Sequence, residues 1–277
     1  MATADTPFKG AATLAFPLAV LFAAASLGNI VLPAAYVNET TSWAAQGLGQ
    51  DWVDLLLVVP VLVVSAALAR RGSRRAGLVL GGAVAYTAYS LVLYAFAVHF
   101  NPLFLVYSAA LGASFYALVS GIVACSREDA RAWFSPRAPG RTVGVFSTVI
   151  GLAFYALWLS EVIPALAAGT APASLAAVGL ITNPVQVLDI GIVLPAFIAG
   201  GVALARRRTL GYWLVPVMLT FAVLMDVALI GMDVSMAARG VPGGGQRIPM
   251  FAVMAAVTLG MLVGMLRRSA TRPVEQG

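Results

Sequence analysis

Eight runs of about 20 apolar residues, set apart by short polar punctuation, constrain this chain more than any motif, because a helix needs about that length to cross roughly 30 Å of hydrocarbon. The runs lie near 11–35, 52–69, 76–98, 102–124, 143–166, 185–205, 210–232 and 249–266. In a bilayer the backbone must satisfy its own hydrogen bonds, and an α-helix does so within one segment. The spacing predicts an all-α integral membrane protein with about eight transmembrane helices. Composition points the same way: 10% of the residues are charged, against roughly 25% in an ordinary soluble domain, and the mean hydropathy is +0.92. No polar stretch is long enough to fold separately in water, so residues 1–277 read as a single membrane domain. The apolar run after Lys9 is also longer than the roughly 7–15 residues of a secretory signal core, which predicts a retained first helix.

The net charge of +6 could suggest nucleic acid, but the basic residues sit in short runs at the ends of apolar segments, where they act as topology determinants. With the N-terminus inside, cytoplasmic segments hold Lys9, Arg70, Arg71, Arg74, Arg75, Arg127, Arg131, Arg137, Arg141, Arg206, Arg207, Arg208, Arg267, Arg268 and Arg272. Only Arg239 and Arg247 are left for the outer face. The expectation is a multi-pass protein of the cell membrane, with both termini cytoplasmic and the lipid bilayer, not nucleic acid, as its surroundings. Asp5, Glu128, Asp129 and Glu275 fall on the inner side of this scheme, and Glu39, Asp51, Asp54, Glu161, Asp189, Asp226 and Asp233 on the outer side or in the outer half.

The connections are legible as well. Arg70-Arg71-Gly72-Ser73-Arg74-Arg75 reads as a tight hairpin, and Asn101-Pro102 as an N-cap followed by proline at the first helical position. Ser126–Thr142 and Ala167–Pro184 are longer links, and Val241-Pro242-Gly243-Gly244-Gly245 is a flexible loop.

A weak internal repeat runs through this order. Asp54 stands six residues before Pro60, and Asp189 six before Pro195; each proline is followed by Ala-Leu-Ala-Arg-Arg, at 67–71 and 203–207. Pro33 and Pro164 end the helices upstream, while Pro102-x-Phe104-x-Val106 and Pro249-x-Phe251-x-Val253 open helices downstream. The pattern suggests repeats at 11–124 and 143–266, a cytoplasmic linker at 125–142 and a short tail at 267–277. Four helices per unit makes the two halves parallel, related by an axis along the membrane normal.

Ionisable and hydroxyl side chains at membrane depth supply the site candidates. Asp54 and Asp189 recur at one place in both halves; the plainer reading is dipole complementation near an outer helix terminus, with Asp51-x-x-Asp54 acting as a cap. For Asp189 that reading is weaker, because Asn183-Pro184-Val185-Gln186 already resembles a capping box. Asp226 lies deeper still, with no basic residue in reach, so it requires a proton, hydroxyl donors or a cationic ligand. Glu161 precedes Pro164 by three residues, nearer the interface. Tyr86, Ser90 and Tyr94 share one helical face, with Tyr89 beside it, and serve either as packing and interhelical hydrogen bonds or as a ligand-lining face. His99, next to Asn101, is a rim residue or a switch.

Several chemistries are excluded. Lys9 lies outside every predicted span, which leaves no lysine for an intramembrane Schiff base, and a single histidine rules out bis-histidine haem and a histidine-rich zinc site within one chain. No phosphate-cradling loop, HExxH or G-x-S-x-G occurs. No catalytic residue and no cofactor is assigned, and a metal is left open. Cys125 has no partner for an internal disulfide. The residues point to an outward-facing acidic pocket, in a small-molecule, cation or proton-coupled transporter. Two other readings stand beside it: a sensor or assembly partner whose Ser126–Thr142 loop, with Trp133 and Phe134, meets lipid or protein, and an intramembrane enzyme using paired carboxylates or a divalent metal.

Overall fold

The computed structural model describes residues 7–269; the expectations for Asp5, Arg272, Glu275 and most of the tail lie outside them. Eight helices are long and apolar enough to cross a bilayer. They are α1 (Lys9–Val31), α2 (Thr41–Arg70), α3 (Arg74–Phe96), α4 (Phe104–Ser126), α5 (Gly140–Ala168), α6 (Pro184–Ala205), α7 (Thr209–Ala238) and α8 (Ile248–Leu266). Among the described residues there is no strand, only an isolated bridge between Phe134 and Ser269. Large apolar side chains such as Leu56, Leu105, Val149 and Ile192 are exposed on the outside of the bundle, a surface suited to hydrocarbon and costly in water.

Several boundaries differ from expectation: α1 ends at Val31, ahead of Pro33, α5 runs through Pro164 to Ala168 instead of ending at that proline, and α7 continues past residue 232 to Ala238. α2 starts at Thr41, not near residue 52, with the Thr40 side chain accepting from the Trp43 amide at 3.2 Å. Its first three turns carry Ser42, Gln46, Gln50 and Asp51, which a hydropathy reading skips; Gln50 and Asp51 are buried against other helices. Asp51-x-x-Asp54 is therefore no cap, since Asp54 lies thirteen residues into the helix, about 20 Å from its start. At the third connection Asn101 is not the N-cap either. Its side chain accepts from Leu103 N at 2.9 Å in a turn that precedes α4, and the helix begins two residues later than expected, at Phe104. Asn183 does cap α6, accepting from Val185 N and Gln186 N, but the Gln186 side chain turns to Glu161 rather than back to the cap.

α2 and α6 share an irregularity. Each contains a five-residue π-helical turn that opens on an aspartate, Asp54–Val58 and Asp189–Val193. Val59 N bonds to Asp54 O, and Leu194 N to Asp189 O. The proline one residue further on, Pro60 or Pro195, lacks an N–H, and its ring would clash with the carbonyl four residues back; the wider turn absorbs both effects. The hairpins that follow also match. Ser73 N bonds to Leu68 O at 3.1 Å and Arg208 N to Ala203 O at 2.8 Å, around Gly72 at φ 92° and Arg207 at φ 55°.

α3 and α7 are the most buried helices and form the centre of the bundle. α7 packs on α3 and on the start of α2, where glycines set the spacing: a Cβ on Gly231 would meet the Gly49 carbonyl oxygen at 2.7 Å, and one on Gly82 would meet Val217 O at 2.5 Å. In the first four helices α1 closes against α4 through small residues, with Gly10 facing Ser120 and Gly28 facing Leu103. In the second four, α5 packs tightly on α6 through Gly144 and Gly201 but barely meets α8. That unfilled seam becomes a cavity.

At the arginine-rich end, the 125–142 segment folds back onto the bundle. Trp133 is buried between the Phe8 ring, edge-on at 6.0 Å between centroids, and the Arg74 guanidinium at 5.3 Å; Phe134 packs on Tyr212 with the rings tilted by 43°. These aromatics are therefore not a free docking surface, in contrast to the reading of this loop as a lipid or partner contact. Arg75 bonds to Ser269 and ties down the end of the described chain.

Candidate functional site

Two polar regions occupy the half of the bundle opposite the arginine-rich end. The first is a closed network inside α1–α4. Tyr86 Oη donates to Asp54 Oδ1 at 2.7 Å, and Tyr94 Oη lies 3.0 Å from Asp54 Oδ2 and 2.8 Å from Asp51 Oδ1. Asp51 also accepts from Asn29 Nδ2 at 3.0 Å and from Tyr36 Oη at 2.7 Å. Behind Asn29, Tyr107 Oη donates to Asn29 Oδ1 at 2.5 Å, and Asn101 Nδ2 reaches Tyr107 at 3.4 Å. Each element of the first half contributes a side chain, and among the described residues no basic group bonds to either carboxylate. Two buried acids are thus held by neutral donors, the arrangement that buried polar groups require. Burial, and next the neighbouring Asp51, hold the Tyr36 phenol well above its usual range.

The second region is a cavity of about 780 Å³ between α5, α6, α7 and α8, completed by the polar start of α2 and the end of α3. It runs from Ser174 and Pro242 in the loops down to Thr258, ten residues and about 15 Å into α8. Its walls are mainly aromatic and aliphatic, including Trp43, Phe146, Phe154, Phe221 and Phe251, together with five of the nine methionines, Met225, Met232, Met236, Met250 and Met254. Methionine walls adapt to irregular apolar shapes. A short helix, Ala173–Val178, covers the loop end between two glycines in left-handed conformation, Gly169 at φ 64° and Gly179 at φ 72°. Glu161 fastens this cover, taking Ser174 on one oxygen and Gln186 Nε2 on the other at 2.9 Å.

Few charged groups face the cavity. Asp189 accepts from Trp158 Nε1 at 2.8 Å and from Tyr89 Oη at 3.2 Å. Arg247 is committed to the buried Asp233, with Nε to Oδ1 at 3.1 Å, Nη2 to Oδ1 at 2.5 Å and its backbone amide to Oδ2 at 2.9 Å. Gln50 Nε2 and Asp226 Oδ2 are buried without any hydrogen-bond partner among the described residues.

The sequence candidates thus separate. Asp189, Asp226 and Tyr94 line the cavity. Asp54 and Tyr86 belong to the closed network behind it, and Ser90 is buried near them with its hydroxyl unpartnered. Glu161 secures the cover, and His99 lies at the rim with Nδ1 2.9 Å from Glu39 Oε1. Sequence reading passed over Asn29, Tyr36 and Tyr107, and also Gln50, Trp158 and the Asp233–Arg247 pair. An asparagine and a tyrosine inside otherwise apolar runs were the available signal, since a polar group in a span needs a partner.

Comparison with family models, curated proteins and solved structures finds no match to the chain. The class that fold and site define is therefore physical: a bundle of eight helices, each long and apolar enough to cross a membrane, with a chamber on one side.

Proposed function

We propose that this is a multi-pass protein of the cell membrane, with its arginine-rich face in the cytoplasm, whose second four helices form a ligand chamber open toward the outside. Small-molecule translocation is the function this arrangement supports best. The carrying observation is the 780 Å³ cavity reaching far into the apolar bundle beside a carboxylate without a partner. A cavity of that size suits a drug-sized ligand, and an ionisable group at membrane depth marks substrate pathways.

A recurrence along the chain is consistent with an internal duplication and fits the same reading. The π-turn aspartate, the following proline and the left-handed hairpin residue recur at a constant spacing, Asp54 with Asp189, Pro60 with Pro195 and Gly72 with Arg207. Two parallel four-helix halves explain the recurrence, and one half has exchanged its internal packing for a chamber. The enzyme reading is less favoured, because the paired carboxylates Asp51 and Asp54 are wholly buried and saturated by phenols.

The test uses purified full-length protein in sealed proteoliposomes, incubated with an equimolar panel of cationic, neutral and anionic small molecules whose accumulation is read by mass spectrometry. Retention of a panel member above protein-free vesicles, and its loss on filling the chamber with Ala222→Trp, is the expected result. Saturable binding without accumulation would favour a sensor.

A further inference from the structure

We infer that the chamber's ligand is an organic cation with a bulky apolar body, its charged centre seated at Asp226; this rests on the reading of the cavity as a ligand chamber.

The argument starts from what Asp226 lacks. It is 4% exposed, Oδ2 has no partner, and no donor among the described residues bonds to either oxygen. Every other buried aspartate is supplied: Asp51 and Asp54 by phenols and an asparagine, Asp233 by Arg247. A buried carboxyl without a donor is incomplete, and the group that completes it must come from the chamber.

The charge of the lining fixes the sign. Arg247 is the sole basic side chain on the wall among the described residues, and its pairing with Asp233 cancels it. Asp189 and Asp226 remain, while the Trp158 N–H and Tyr89 O–H dipoles that would welcome an anion are already turned onto Asp189. An anion meets uncompensated carboxylates here; a cation meets two, in a medium where a single charge pair counts for far more than in water.

The remainder of the wall sets the kind of cation. A bare metal ion needs several oxygen ligands converging on one point, and no group of three or more His, Cys, Asp or Glu side chains suited to a metal occurs among the described residues. Phe221, Phe154 and the methionines that line the same cavity as Asp226 instead offer apolar and π surface, which holds a cation that carries its own hydrocarbon cover.

The experiment measures equilibrium dialysis of tetraphenylphosphonium, and of tetraphenylborate, its anionic counterpart of the same shape, against the full-length protein in detergent micelles, with protein-free micelles as the reference. The parent should bind the phosphonium saturably and more tightly than the borate. Asp226→Asn should weaken phosphonium binding at least tenfold, and Asp226→Glu should keep it within a few-fold, with elution volume and thermal melting establishing that both are folded. Equal phosphonium affinity in Asp226→Asn and parent, or borate bound as tightly as phosphonium, would overturn the cation assignment. If Ala222→Trp or Met254→Trp abolishes binding of a probe that ignores Asp226→Asn, the cation assignment falls and the chamber stands. If no probe binds above micelles alone, both fall.

Discussion

Asp54 and Asp189 each open a π-helical turn six residues ahead of a proline, yet one is sealed and the other faces a cavity: Asp54 accepts from Tyr86 and Tyr94 inside a closed network, whereas Asp189 accepts from Trp158 and Tyr89 at the chamber wall. The same backbone device thus places one carboxylate in a closed network and one at the cavity wall. Asp54→Asn should act on stability alone, with probe binding unchanged in the fraction that folds. Asp189→Asn should leave the melting temperature nearly unchanged and alter probe affinity. Paired melting and dialysis measurements separate the two.

Tyr94 carries one hydroxyl hydrogen between two carboxyl groups, at 2.8 and 3.0 Å. Tyr94→Phe leaves both acids short of a donor and should destabilise the protein by about 1–3 kcal/mol, read as a lower melting temperature in detergent. Ser90→Ala, which removes a hydroxyl that has no partner, should be neutral or stabilising.

Burial and Asp51 raise the Tyr36 phenol above its usual value of 10.0, so the folded state holds this proton more tightly than the unfolded chain. Its contribution is complete below that usual value and is lost as pH rises through the folded-state value. Melting followed from neutral to strongly alkaline pH should fall more steeply for the parent than for Tyr36→Phe. The variant should start lower, having lost the bond to Asp51.

The seam between α2 and α7 is set by Gly49 and Gly231. A Cβ on Gly231 would meet Val53 Cγ2 at 2.6 Å and Gly49 O at 2.7 Å, so Gly231→Leu should cost roughly 1–3 kcal/mol or more by overpacking. Gly260→Ala, with open space around the added carbon, should stabilise by about 0.5–1 kcal/mol through helix propensity. Thermal melting of both variants checks the contrast.

For orientation, a reporter inserted between Arg70 and Arg75 or fused after Gln276 should be active in the cytoplasm, and one near Gly244 should be exported. An exported signal after Gln276 would overturn the proposed topology.

Helix number was readable because each span is a long apolar run ended by arginine, proline or glycine, as at Arg70–Arg75. The start of α2 was not, since hydropathy scores Gln46, Gln50 and Asp51 as loop and cannot register that Asp51 is satisfied by Tyr36, Tyr94 and Asn29 from distant parts of the chain. The pairing of Asp54 with Asp189 was visible as spacing, but their different surroundings depend on whether the first and fourth helices of each half close on one another. That outcome is set by side-chain packing at Gly10, Gly28 and their neighbours, not by period or composition. Asp226 stood out in both views for one physical reason: nothing nearby answers its charge.

α7 is the helix of the second four that also packs into the first four. On one side it is keyed into α2 and α3 at glycine contacts too close for a side chain; on the other it carries Asp226 into the chamber. α7 also packs on α6 and α8 as extensively as on α2 and α3, so any displacement of Asp226 is transmitted at once to the chamber wall and to the closed network.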